Sequence, residues 1–123
     1  MVCIMNWAIH GICLRLKNRG DDMKWKYRCV TFSKVRQLIK EDVETVKQCM
    51  NILYVLESCC SELTPDIKQD WEHYDDFRDL ASEIHETIEE LDEDDYDEAE
   101  YIVNNLLDEF YDLCDYAGVW LGL

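Results

Sequence analysis

The sequence predicts a mainly α-helical fold: an antiparallel three-helix bundle with a small amino-terminal β-hairpin, an all-α chain being the alternative. Three observations carry this expectation. Apolar residues recur at steps of three and four over most of residues 33–123, which is the helical period. One short segment, Lys24-Trp25-Lys26-Tyr27-Arg28-Cys29, alternates strictly and so has the strand period of two. Charge is split along the chain. Residues 1–40 hold nine Lys/Arg and two acids, a net of +7; residues 41–123 hold three Lys/Arg and twenty-six acids, a net of −23; together they give the −16 of the whole. A chain of 123 residues is expected to form one domain, with a basic hairpin over 1–32 and an acidic bundle over 33–123.

The elements follow in order. Residues 2–17 are apolar without a clean period, and Asn18-Arg19-Gly20-Asp21-Asp22 has loop composition, so the hairpin is placed at roughly 9–17 paired with 23–32. Arg19-Gly20-Asp21-Asp22 before Met23 is also what a purine-rich ribosome-binding sequence would encode, so a start at Met23 is a second reading of this end. Ser33 is the expected cap of a first helix over about 34–62, bent near Lys40-Glu41. The centre of that helix, Cys49 to Leu56, is apolar nearly all round, as a centrally packed helix would be.

Thr64-Pro65-Asp66 reads as the start of a second helix reaching Leu91, with Ile67, Trp71, Tyr74, Phe77, Ala81, Ile84, Ile88 and Leu91 inward. A loop over 92–95 precedes a third helix over 96–117, stopped by Gly118, with Ala99, Ile102, Val103, Leu106, Phe110, Leu113 and Ala117 inward. The apolar tail 119–123 is expected to fold back on the core.

The second helix and its loop are the candidate site. Glu72, Asp76, Asp79, Glu83, Glu86 and Glu90 step by four and three, so on a helix they form one stripe opposite the apolar one. Asp75 and Glu89 widen the charged face, and Asp92, Glu93, Asp94, Asp95, Asp97 and Glu98 extend it past the helix end. Ten acids lie between Asp66 and Leu91, and only Lys68 and Arg78 oppose them. At a rise of 1.5 Å per residue this is one charge per roughly 4 Å, against one per about 3.4 Å along a DNA strand. Like charges at three- and four-residue spacing cost about 0.2–0.5 kcal/mol per pair, and solubility needs far fewer of them. A rigid row of carboxylates can therefore be read as a stand-in for phosphates, directed at a basic protein groove.

Small size, strong acidity, helical pattern and aromatic residues among the acids (Tyr74, Phe77, Tyr96, Tyr101, Tyr111) resemble the acidic DNA-mimic inhibitors of phages and mobile elements, the anti-restriction and anti-CRISPR proteins. The likeness is compositional and covers about residues 64–117. It implies a non-enzymatic inhibitor whose partner is a basic nucleic-acid-binding protein, a CRISPR effector or restriction enzyme, with the fourteen acids named above as the partner-binding residues. The basic first forty residues depart from the simplest uniformly acidic mimic. The competing reading is a small acidic helical interaction module, antitoxin-like or a regulatory subunit, without mimicry.

Other chemistry finds little support in the residues. There is no phosphate loop, no Gly-x-Ser-x-Gly and no HExxH, so no catalytic residue is expected. Residues 92–98 resemble a calcium loop but lack its glycine and put Tyr96 at the fifth position. His73 and His85 have Asp70 and Ser82 three residues before them rather than the glutamates of a di-metal bundle, so surface or boundary positions are expected and no metal or cofactor. The seven cysteines show no zinc spacing, and adjacent Cys59-Cys60 is poor disulfide geometry. With no signal peptide and no membrane span in the pattern, free buried thiols in a reducing cytoplasm are expected. The basic set Lys24, Lys26, Arg28, Lys34, Arg36 and Lys40 with Trp25 and Tyr27 has the makings of a nucleic-acid site. The net charge opposes that approach, so pairing with acids of this chain or of a second copy is the favoured expectation, without direct nucleic-acid or membrane binding.

Overall fold

The structure is a computed structural model and describes residues 25–121. The chain is mainly helical with a very small strand pair. In order these are β1 (Tyr27–Arg28), α1 (Phe32–Lys40), α2 (Val46–Ile67), α3 (Trp71–Glu90), α4 (Tyr96–Ala117) and β2 (Val119–Trp120). The predicted partner segment 9–17, Lys24, the Met23 start and the tail residues 122–123 lie outside the described residues.

The alternation around β1 holds: Trp25 and Tyr27 are half-buried, Cys29 is buried, and Lys26 and Arg28 are exposed. The partner of β1 among the described residues is β2, in parallel, with Tyr27 opposite Val119 and Arg28 opposite Trp120. Backbone bonds from Lys26 and Tyr27 N–H to the Gly118 carbonyl, and from Cys29 N–H to the Trp120 carbonyl, close this contact. Gly118 ends α4 at φ 78°, the left-handed position that a side chain disfavours, and returns its own N–H to the Cys114 carbonyl. That reversal brings Val119 and Leu121 into the core, as the apolar tail predicts.

Two predicted boundaries move. The single helix expected over 34–62 is two helices. The chain leaves α1 at Glu41, runs extended, and re-enters a helix at a capping box. Thr45 Oγ1 accepts the Gln48 N–H at 3.2 Å, while Gln48 Oε1 accepts the N–H groups of Thr45 at 3.0 Å and Glu44 at 2.7 Å. Buried Val43 anchors the link, and its carbonyl accepts from Tyr96 Oη at 2.7 Å. Ser33 does not cap α1. Glu62, on α2, accepts the N–H groups of Val30 and Thr31 at 3.2 Å each.

Thr64-Pro65 is not a helix start; both residues lie in the last turns of α2. Leu56, Cys60, Leu63 and Ile67 continue one buried stripe straight through the proline, and their burial outweighs the local start signal. Pro65 lacks the N–H that would bond the Ser61 carbonyl. Thr64 Oγ1 donates to that carbonyl instead, at 3.1 Å. The break comes at 68–70, and Asp70 precedes α3 without a side-chain capping bond.

α2 packs against α1, α3, α4 and β1 and so holds the centre. Phe110 of α4 stacks on Phe32 of α1 at 5.7 Å and meets Phe77 of α3 edge-on at 6.2 Å, joining three helices at one point. Cys29, Cys49, Cys59, Cys60 and Cys114 are free thiols buried in this core. Burial pushes Cys49 up to about 11 and Cys60 up to about 12, so both stay protonated and unreactive near neutral pH. No helix among the described residues is long and apolar enough to cross a membrane.

Candidate interaction face

All fourteen acids singled out from the sequence, Glu72, Asp75, Asp76, Asp79, Glu83, Glu86, Glu89, Glu90, Asp92, Glu93, Asp94, Asp95, Asp97 and Glu98, are exposed. The reason is periodic. His73, Phe77, Leu80, Ile84 and Ile88 turn one side of α3 inward, which leaves the remaining positions to solvent. Three residues depart from the expected stripe: Leu80 is buried, His73 is buried rather than at the boundary, and Trp71 is 67% exposed rather than inward. Trp71 stands at the first position of α3, where no other helix among the described residues covers it; its ring meets Tyr74 edge-on at 6.2 Å.

A groove runs between α3 and α4, and acids line it from both sides. One depression of about 340 Å³ is bounded by Glu83 and Glu90 of α3, by Asp92 and Asp95 of the loop, and by Glu98, Asn105 and Glu109 of α4. A shallower one of about 470 Å³ continues it past Asp76 and Asp79 to Asp112. Glu83 and Glu109 border both depressions and form the waist between them. Partial desolvation, and then the facing Glu83 carboxylate, raise Glu109 above the ordinary carboxyl value. At the far end Tyr116 of α4 donates its hydroxyl to Glu72 Oε1 at 2.8 Å, and that bond raises the phenol.

Several of these carboxylates have local partners. Arg78 lies 3.6 Å from both Asp75 and Asp79, with its guanidinium 6.0 Å from the Tyr74 ring. His85 bridges Glu57 of α2 at 3.2 Å and Glu89 at 3.7 Å. Asp95 caps α4 by accepting the Glu98 N–H at 3.0 Å, and Asp92 accepts the Asp94 N–H at 2.9 Å. Asp97 and Glu98 occupy the first turn of α4, where the helix dipole favours acids, whereas Glu89 and Glu90 end α3, where it opposes them. The surface is therefore a fixed array with a few internal ties rather than a loose tail.

Sequence reasoning missed the α4 wall. Glu98, Asn105, Glu109, Asp112 and Tyr116 step by seven, four, three and four, so the same spacing rule that found the α3 stripe would have found this one. It also missed Glu100, which is buried at 3% exposure and held by Tyr96 Oη at 2.9 Å. Of the described residues in the basic set, Lys26, Arg28, Lys34 and Lys40 are exposed and Arg36 is half-buried. Arg28 lies over the Trp120 ring at 4.5 Å. Among the described residues, no group of His, Cys, Asp or Glu is arranged to hold a metal ion. No protein-family model, no curated protein and no solved structure matches this chain.

Proposed function

We propose that this chain is a non-enzymatic inhibitor that lays its α3–loop–α4 face into the basic nucleic-acid-binding surface of a host defence nuclease, a CRISPR effector or restriction enzyme, and so excludes the nucleic acid. It would act in the cytoplasm of the host cell. One observation carries the reading: two helices and their loop present an exposed, two-walled row of carboxylates. α3 alone has eight acids in twenty residues, one per roughly 3.8 Å at the helical rise, close to the phosphate spacing of a DNA strand. The walls are on helices, so the spacing is held before binding, and little ordering entropy is lost when Lys and Arg of the partner pair with it.

The same proposal takes α2, α3 and α4 as antiparallel neighbours. Support comes from Glu57–His85 across α2 and α3, and from Glu72–Tyr116 and Glu83–Glu109 across α3 and α4, each pair flanking its connecting loop.

The test is inhibition of purified nucleases from both classes, with their own guide or duplex substrate. Wild type is expected to block cleavage, to lose affinity steeply as salt rises, and to compete with the substrate. The variant Asp76→Asn, Asp79→Asn, Glu83→Gln, Glu86→Gln is expected to lose inhibition while keeping its fold. Inhibition unchanged by these substitutions would leave only an acidic helical interaction module without mimicry.

A further inference from the structure

Resting on that reading of a basic partner, we infer that the α3–α4 groove is the seat of one amphipathic basic helix, which lays an aliphatic ridge on the floor and lysines or arginines on both rims. Between the rims the groove is not acidic but aliphatic. Leu91, Ile102 and Leu106 line the first depression, and Leu80 and Leu113 line the second. Leu80 and Leu106 are buried, whereas Leu91, Ile102 and Leu113 pack against the core and are only half-buried. The two walls are built alike. On α4, Ile102, Leu106 and Leu113 step by four and seven and form one stripe, beside the stripe of Glu98, Glu109 and Asp112. On the α3 side, Leu80 and Leu91 stand about three turns apart on one line, beside Asp76, Glu83 and Glu90. From Glu98 to Asp112 the groove runs about 21 Å at the helical rise, about four turns of a docked helix.

An aliphatic floor between two charged rims has the anatomy of a helix-binding groove, apolar at the centre and polar at the edge. A helix with aliphatic residues at every third and fourth position and bases on either side meets floor and both rims at once. An extended segment points alternate side chains away from the groove and cannot. Charge selects the partner: ion pairs in water steer and orient a basic helix, and the sheltered aliphatics add affinity that such pairs do not give. A stand-in for phosphates needs only the rims. A second copy of the chain does not offer this helix among the described residues. Its basic helix, α1, keeps Phe32, Val35 and Ile39 in its own core.

The experiment is calorimetric titration of the full chain with synthetic peptides of about eighteen residues, long enough as helices to span the groove. The first carries leucines at every third and fourth position and lysines elsewhere. The second has the same composition, reordered so that the leucines are spread around the helix. The third replaces the leucines with glutamine and keeps the charge. Sheltering about 60 Å² of apolar surface corresponds to roughly tenfold in affinity, so wild type is expected to bind the first peptide about tenfold or more tightly than the other two. Backbone amide signals of Leu91, Ile102 and Leu113 are expected to shift with the first peptide. The Ile102→Gln, Leu113→Gln variant, checked for helicity by circular dichroism, is expected to lose most of that preference while its affinity for the glutamine peptide stays within about twofold. The wild-type comparison and the amide shifts decide the matter even where that variant fails to fold. Equal affinity of wild type for the first and third peptides overturns the helix seat and leaves the charge reading standing. So does a concentration-dependent dimer of the chain alone that the first peptide breaks, because the occupant is then a second copy. Failure to bind any peptide overturns both. A tenfold preference at these residues, without inhibition of either nuclease class, keeps the seat and overturns the nuclease reading.

Discussion

Glu62 accepts the backbone N–H of Thr31 at 3.2 Å across thirty-one residues of chain. With its second oxygen on the Val30 N–H, this one carboxylate satisfies donors at the entrance of α1, where Thr31 makes no side-chain cap of its own, and ties that entrance to the end of α2. Charge-assisted bonds to backbone N–H groups at a helix start are worth about 1–2 kcal/mol together. Glu62→Ala is expected to lower unfolding stability by about that amount in urea titration. Glu62→Gln, which keeps an acceptor oxygen, is expected to lose less. Equal stability of Glu62→Ala and wild type would mean that water replaces the bond without cost.

Tyr96 joins the start of α4 to the link between α1 and α2, through the Val43 carbonyl at 2.7 Å and Glu100 at 2.9 Å. Burial first, and then the Glu100 contact, push its phenol well above the ordinary tyrosine value, so it remains a donor. Tyr96→Phe leaves a buried carboxylate and a carbonyl without that donor, at a cost of about 1–3 kcal/mol. Adding Glu100→Gln to Tyr96→Phe should recover part of the loss, because it removes the buried charge. A double-mutant cycle on urea midpoints measures this, and independent, additive effects would rule out the coupling.

Glu109 supplies a pH test. Its folded value is raised above the ordinary 4.5 by desolvation and by Glu83. Below the unfolded value both states are protonated and the group is neutral to stability. As pH rises through the window between the unfolded and folded values, the unfolded chain gives up its proton first and the fold loses stability. Glu109→Gln is therefore expected to be more stable than wild type at pH 7. The gain is at most about 0.5 kcal/mol because the site is open to solvent, and the two proteins should converge below about pH 4. Melting temperatures across pH give the comparison; a variant less stable than wild type at pH 7 contradicts the repulsive contact.

Much of this was legible in the residues, and the failures share a cause. Gly118, the 92–95 loop and the alternation from Trp25 to Cys29 are local signals read by local rules, and each stands where the sequence put it. Thr64-Pro65 was misread because a start signal is local while the stripe from Leu56 to Ile67 is not; the longer pattern decided. The capping box Thr45-x-x-Gln48 was legible and overlooked. The pairing of β1 with β2 was out of reach, since two strand residues at each end carry no mark of their partner. Glu100 shows the same limit from the other side: an acid among acids gives no sign that it is the one turned inward. At the candidate face, the period of α3 identified the first wall, and the second required knowing which side of α4 turns toward α3.

Repulsion within the acidic face can be measured apart from any binding by that face. Seven of the eight acid pairs at three- or four-residue spacing within α3 include Asp76, Asp79, Glu83 or Glu86. Neutralising these four residues relieves about 1–3 kcal/mol at low ionic strength, less what Arg78 loses when Asp79 becomes Asn. The variant should therefore melt higher than wild type in about 0.02 M salt, where screening is weak. Raising the salt to about 0.5 M shortens the screening length to a few ångströms, so wild type should gain more than the variant and the two curves should approach each other. Such convergence would mean that wild type carries a standing electrostatic cost along α3, one that a basic partner would relieve on binding. If the two proteins instead melt alike at every salt concentration, solvent already screens the stripe, and the energetic motive for a charged partner is gone.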